Sequence, residues 1–235
     1  DSIEIHSSSQ RTAAPKGGIQ VLFQDESLVG ILKPEGLLSV GTQDVKLKHA
    51  LAMVRESLGP NQKLWPVHRL DRETSGVLLF ARSREVCDAV KKSWQEVTKT
   101  YSVVVEGHPA PPEGVINQPL YDGKNLMVKV GSHSEAKEAI TRYKTLEAGP
   151  RRTLLEVHLD TGRRHQIRAH MAWLGHTVVG DTRYGKKDSR MALHARRLSF
   201  QHPITGKEIV LEAKTPAVFM KQLASVQSSR SRSPK

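Results

Sequence analysis

Residues 68–76, His-Arg-Leu-Asp-Arg-Glu-Thr-Ser-Gly, run directly into Val77-Leu78-Leu79-Phe80-Ala81. Five consecutive apolar residues ending at Arg82 read as a buried strand, so the polar nonapeptide must be the loop that delivers the chain into the core. Loops held by a rigid scaffold are where chemistry concentrates. Within this one, Asp71 is a group whose usual chemistry includes nucleophilic attack or general base catalysis at neutral pH, and His68, Arg69 and Arg72 flank it. The plain alternative is a solvated charged turn closed by Thr74-Ser75-Gly76.

A chain of 235 residues is long enough to bury a core without disulfide staples, and its single cysteine, Cys87, excludes an internal disulfide framework. That cysteine is expected to pack on a helix face. One cysteine suits a reducing, cytoplasmic compartment. No apolar run approaches the ~20 residues of a membrane span, and a soluble protein is expected. Thirty-six Lys and Arg against 24 Asp and Glu give a formal charge of +12. Such an excess points to a polyanionic partner, because neutralising phosphates releases counterions whatever the sequence. With 5% aromatics there are few stacking platforms, so any nucleic acid would be held mostly through phosphates and shape.

Ile19–Phe23 and Leu28–Lys33 read as two short strands, the second broken by Pro34. Leu47, Leu51, Val54 and Leu58 recur at helical spacing, predicting a helix over 45–58 that Gly59-Pro60 ends. Ser83 is a fitting N-cap for a second helix over 84–97, with Val86, Val90, Trp94 and Val97 on one face and Trp94 in the core. Strands are expected over 101–106, 115–120, 139–146 and 153–159, with a basic-edged hairpin around 126–130. Asp160-Thr161-Gly162 opens a third helix over 164–174, placing Arg164 and Arg168 on one face and Ile167, Met171 and Leu174 on another. Residues 192–200 look like strand or mixed structure, 207–213 like a strand and 215–224 like a terminal helix. Strands separated by turns, with few helices between them, argue for an α+β fold, a mixed and largely antiparallel β-sheet with flanking helices and a central basic cleft. The expected boundaries are a flexible linker over 1–18, one folded domain over 19–224 and a disordered Ser/Arg-rich tail over 225–235.

The pattern His68-Arg69-Leu70-Asp71-x-x-Thr74-Ser75-Gly76 resembles the signature of the RluA family of pseudouridine synthases, which isomerise uridine to pseudouridine within RNA. Further stretches resemble the same family in its order and spacing: Lys33-Pro34-Glu35-Gly36-Leu37-Leu38, Lys99-Thr100-Tyr101, Glu106-Gly107-His108-Pro109, Thr161 to His170, Val179 to Gly185, and Leu193-His194-Ala195. The likeness covers roughly residues 19 to 220. Many members carry a small RNA-binding domain upstream, and Asp1-Ser2-Ile3-Glu4-Ile5 is similar to its last strand, so an upstream domain is expected to be missing here.

The resemblance implies that Asp71 is the catalytic carboxylate, either attacking C1′ or assisting a glycal-type intermediate. A carboxylate in a dry pocket needs an opposing cation, and the family's Gln-Ile-Arg position makes that Arg168. By the same likeness Tyr101 stacks on the uracil and serves the late proton removal from C5, while Arg69 fills the space left by an extruded base. Arg163, Arg164, Lys124 and Lys129 are candidates for phosphate contacts. No metal constellation or nucleotide-binding fingerprint is evident, and neither a metal nor a cofactor is expected. The partner expected is ribosomal or transfer RNA, bound by a monomer. Two other readings stay open: an RNA-binding protein of the same fold without activity, and a magnesium nuclease using Asp71 and Asp181.

Overall fold

The computed structural model describes residues 18–42, 47–59, 61–123, 125 and 127–226. Apart from their innermost residues, the expected linker and tail lie outside the described residues, as does Lys124. Strands β1 (Gln20–Gln24) and β2 (Leu28–Lys33) form a hairpin, followed by helix α1 (Ala50–Leu58), the short β3 (Trp65–Pro66), β4 (Ser75–Ala81) and α2 (Arg84–Lys92). Then come β5 (Thr98–Glu106), β6 (Glu113–Asn117), a small ribbon of β7 (Leu120–Asp122) and β8 (Val128–Val130), β9 (Ile140–Ala148) and β10 (Arg152–Leu159). Helix α3 (Gln166–Trp173), β11 (Leu193–Gln201), β12 (Glu208–Glu212) and α4 (Val218–Ala224) complete the order. The main sheet runs β1-β2-β4-β11-β5-β10-β9-β6, with β12 paired to β11 and β3 to β4. Among the strands of the described residues β4 and β11 pair in parallel and the other strand pairings are antiparallel. This is the mixed, largely antiparallel sheet with flanking helices that the turn-separated strands predict.

β4 lies between β2 and β11, which is why its sequence is apolar without alternation: all seven of its residues are buried. Its side chains still divide by parity. Leu78 and Phe80 pack with Ala50 and Val54 of α1, whereas Val77, Leu79 and Ala81 pack with Val86, Cys87 and Val90 of α2. β5 repeats the device, with Val103 and Val105 against Ile167 and Met171 of α3 and Val104 against Phe219 and Leu223 of α4. Tyr101, at the start of the same strand, packs against both the α1 and the α3 cluster and so sits at the seam between the two halves. Where β4 meets β11, Gly76 has φ +125° and a Cβ there would collide with the Ala195 carbonyl and amide, so no other residue fits that crossing.

Several predicted boundaries move. Helix α1 begins at Ala50 with His49 as its N-cap, and Leu47 lies before it, 39% exposed. Ser83 caps α2 as expected, accepting from Val86 N at 3.1 Å, but the helix stops at Lys92 and the next turn carries Trp94 out of it. Trp94 is half-buried against the core and also lines the cleft, so it is not purely a packing residue. The single strand expected over 115–120 divides into β6 and β7. α3 starts at Gln166, because His165 has left-handed φ and ψ of 52° and 19°. Arg164 therefore precedes the helix and does not share a face with Arg168, correcting that expectation.

Candidate active site

A cleft of about 810 Å³ opens between the Asp71 loop and the segment that leads into α3. Asp71, Tyr101 and Arg168 all line it, as do Arg69, Arg163, Arg164 and His165. The loop is anchored from below through its backbone. Lys33, fully buried at the end of β2, donates from Nζ to the carbonyls of Pro34 (2.9 Å), Leu37 (2.6 Å) and Arg72 (3.2 Å). Burial lowers its pKa to about 8, against the attraction of Glu73, Asp71 and Glu35. Ser39 Oγ donates to Leu70 O (2.7 Å) and accepts from Leu70 N (3.0 Å), and His68 Nε2 accepts from Leu79 N (3.2 Å). Burial, with a smaller push from Lys99, lowers the His68 pKa and keeps the ring neutral, as an accepting nitrogen requires. On the exit side Ser75 Oγ meets His194 Nδ1 (2.8 Å) and accepts from Arg190 Nη2 (2.8 Å), while Arg190 also pairs with Glu35 (2.9 Å).

Arg168 reaches the loop across 97 residues of sequence, donating from Nη1 to Asp71 Oδ2 at 2.9 Å. Its other nitrogens are held by Asp181, Nε to Oδ2 at 2.6 Å and Nη2 to Oδ1 at 2.9 Å. Asp181 Oδ1 also accepts from the Arg183 and Tyr184 amides at 3.0 and 3.2 Å. Side-chain exposure falls from 27% at Asp71 to 5% at Arg168 and 0% at Asp181. Burial pushes the Asp181 carboxyl up, and Arg168 and the two amides more than reverse it, holding the group below its ordinary range. The fork is thus fixed from behind by a buried carboxylate and offers its remaining edge to Asp71. Both Asp181 oxygens are occupied by donors, so Asp71 and Asp181 bracket an arginine where a magnesium nuclease would need both carboxylates open to the ion.

Sequence reasoning names Arg168, gives Asp181 a part only as a metal ligand in the nuclease reading, and assigns Lys33 and His165 none; their signal was membership in the stretches that resemble the family. Tyr101 is in the cleft, and burial, followed by the nearby Asp71 charge, raises its phenol pKa. It stays protonated at neutral pH. Arg69 is exposed on the cleft wall. At the rim, Arg163 Nε donates to Glu138 O (3.0 Å) and Arg164 pairs with Asp122 of the ribbon (2.7 Å). Lys129 is exposed on β8 but does not line the cleft, and Lys124 lies outside the described residues. Among the described residues no cluster of His, Cys, Asp and Glu is placed to hold a metal, and no helix is long and apolar enough to cross a membrane.

The family model for RNA pseudouridylate synthase matches residues 27–173. The chain is 37% identical over 223 residues to tRNA pseudouridine synthase C of Vibrio parahaemolyticus, covering 83% of this chain and 89% of that protein. It is 34% identical over 207 residues to the dual-specificity RNA pseudouridine synthase RluA of Haemophilus influenzae, covering 84% and 93%. Among solved structures, human RNA pseudouridylate synthase domain containing 4 superposes with a TM-score of 0.72 at 26% identity, over 87% of this chain and 91% of that one. This chain is an RNA pseudouridine synthase by class. Within that class it belongs to the RluA family.

Proposed function

We propose that this protein isomerises particular uridines in structured ribosomal or transfer RNA, with Asp71 as the catalytic carboxylate, Arg168 as its ion-pair partner and Tyr101 at the base. The observation that carries the reading is the 2.9 Å bond between Arg168 and Asp71, made by elements that only the fold can bring together. The reaction breaks the bond from C1′ to N1, turns the uracil, and joins C1′ to C5; N1 gains a proton and C5 loses one. An ionised Asp71 supports either attack at C1′ or assistance to a glycal, and Arg168 keeps it ionised as the site closes over the substrate. Because Tyr101 is held protonated, it can take the C5 proton only by giving up its own hydroxyl proton, while its ring packs on the uracil.

The base must leave its stack, at about a few kcal/mol, recovered from contacts in the cleft and at its rim. Arg69, exposed on the cleft wall, would occupy the vacated space, and Arg163, Arg164, Lys124 and Lys129 would contact phosphates and set register. Mapping pseudouridines in ribosomal and transfer RNA from cells with and without the gene tests the reading: discrete positions should lose the modification when the gene is deleted. Identical maps would contradict it.

A further inference from the structure

One residue at the mouth of the site is held in a conformation that ordinary packing does not ask of it. His165 is one of two non-glycine residues with positive φ among the described residues, at 52°, a region that few non-glycine residues enter and in which histidine, with asparagine and aspartate, is among the more frequent. Such backbone persists where the surroundings over-determine it, and it clusters at functional sites. Here it turns the imidazole so that one nitrogen meets a hydroxyl and the other a carboxylate. Nδ1 lies 3.1 Å from the Tyr184 hydroxyl, with the rings edge to face, and Nε2 lies 3.7 Å from Asp71 Oδ2. The side chain is 10% exposed.

We propose that His165 is a positioning residue for Asp71: with Arg168 it fixes Oδ2, so that Oδ1 is the oxygen presented to the target nucleotide. This rests on the functional reading above. Among the described residues no hydrogen bond reaches Oδ1, whereas Oδ2 accepts from Arg168 at 2.9 Å and faces His165. The tautomer follows from Asp71. A carboxylate can only accept, so facing Oδ2 favours the imidazole proton on Nε2; Nδ1 is then left to accept from the Tyr184 hydroxyl, whose proton has the Val128 carbonyl at 3.2 Å as its other acceptor. The ring is neutral at neutral pH, because burial and the charges of Arg168, Arg164 and Arg183 outweigh the pull of Asp71. At 3.7 Å the contact is longer than a hydrogen bond, and a catalytic bond of this kind tightens when substrate fills the cleft.

The test compares His165→Asn, which suits the left-handed backbone but is too short to reach Asp71, with His165→Gln, whose amide can occupy the place of Nε2. Single-turnover tritium release from RNA labelled at uridine C5 and RNA affinity are measured together, with thermal unfolding as a check on folding. His165→Asn should slow the single-turnover rate about 10- to 100-fold, the size seen when outer-shell partners are removed, with RNA affinity within about twofold of wild type. His165→Gln should recover most of the rate despite its greater backbone strain, a rescue that a purely structural role would not give. An Asn variant as fast as wild type, a Gln variant no faster than Asn, or a loss confined to RNA affinity would overturn the proposal. Wild-type release by Asp71→Asn would instead break the functional reading, and this inference would fall with it.

Discussion

The Asp71 loop and the β7–β8 ribbon both lean on α3, yet they are tied to it by opposite means. The loop is clamped by buried groups, Lys33 and Ser39 bonding its backbone from below and Arg168 its Asp71 carboxylate from the side. The ribbon rests on four small or medium apolar residues, Leu120, Val128, Ala139 and Ala169, on the Tyr184 hydroxyl, and on the exposed pair of Arg164 with Asp122. Errors in the loop propagate at once into the position of the Asp71 carboxylate that we propose reacts, whereas the ribbon holds no group to which that proposal assigns a part in the chemistry. A fold organised this way can change the RNA it grips without disturbing the chemistry.

The comparison is broken most forcefully at Arg168. Removing one member of a buried charge network strands the others, so Arg168→Ala should abolish activity and lower stability by about 3–5 kcal/mol in urea unfolding, with Arg168→Lys less damaged because it keeps the charge but loses the fork. A loss under about 1 kcal/mol would mean that Asp181 is satisfied without it. Next in size is Lys33→Met, which keeps the stem but removes three donors from carbonyls at the base of the loop; about 2–3 kcal/mol of stability and most of the turnover should go. Full activity in that variant would show that the loop does not depend on its buried clamp.

The third prediction concerns pH. His194 is buried between Ser75 and Ala213, and burial, only partly offset by its bond to the Ala213 carbonyl, lowers its pKa to about 4. The unfolded chain then takes up a proton near pH 6.5 that the folded protein refuses, so stability should fall as pH drops from about 6.5 to 4, by up to roughly 2–3 kcal/mol from this group. Asp181 adds to the loss at lower pH, since a carboxyl with a depressed pKa loses its contribution as pH falls through the folded value. His194→Gln should flatten the first part of the curve; an unchanged slope would remove His194 as its source. The smallest effects belong to the ribbon and rim. Arg164→Ala should cost under about 1 kcal/mol, as exposed ion pairs do. Lys129→Ala should leave single-turnover chemistry intact and reduce the salt slope of RNA binding by about one. No change in slope would place Lys129 outside the interface.

This contrast also explains what the sequence made legible. The loop and its strand were readable because one polar cluster adjoins one apolar run, and the Asp71–Arg168 meeting because the resemblance supplied both ends. Lys33 was hidden: a lysine closing a strand reads as an exposed edge, and nothing local says that three carbonyls will surround it. Asp181 sits in a turn without periodicity, so its burial behind Arg168 is a property of the fold alone. The start of α3 was misplaced because Gln166, bonded to Thr161, Arg163 N, Ile140 O and Thr141, organises the turn from inside. A left-handed histidine just before it carries no sequence mark. α2 ended early without glycine or proline, at a turn where Lys99 Nζ bonds the Trp94 carbonyl at 3.0 Å.

The account turns on Asp71 as the reacting carboxylate, and the most direct measurement is tritium release from RNA labelled at uridine C5, since the isomerisation leaves mass unchanged. Wild-type protein should release the label, and Asp71→Asn should release none above background, a loss greater than about 10³-fold, while its fold and RNA affinity stay as they were. Release at the wild-type rate by Asp71→Asn would contradict the account.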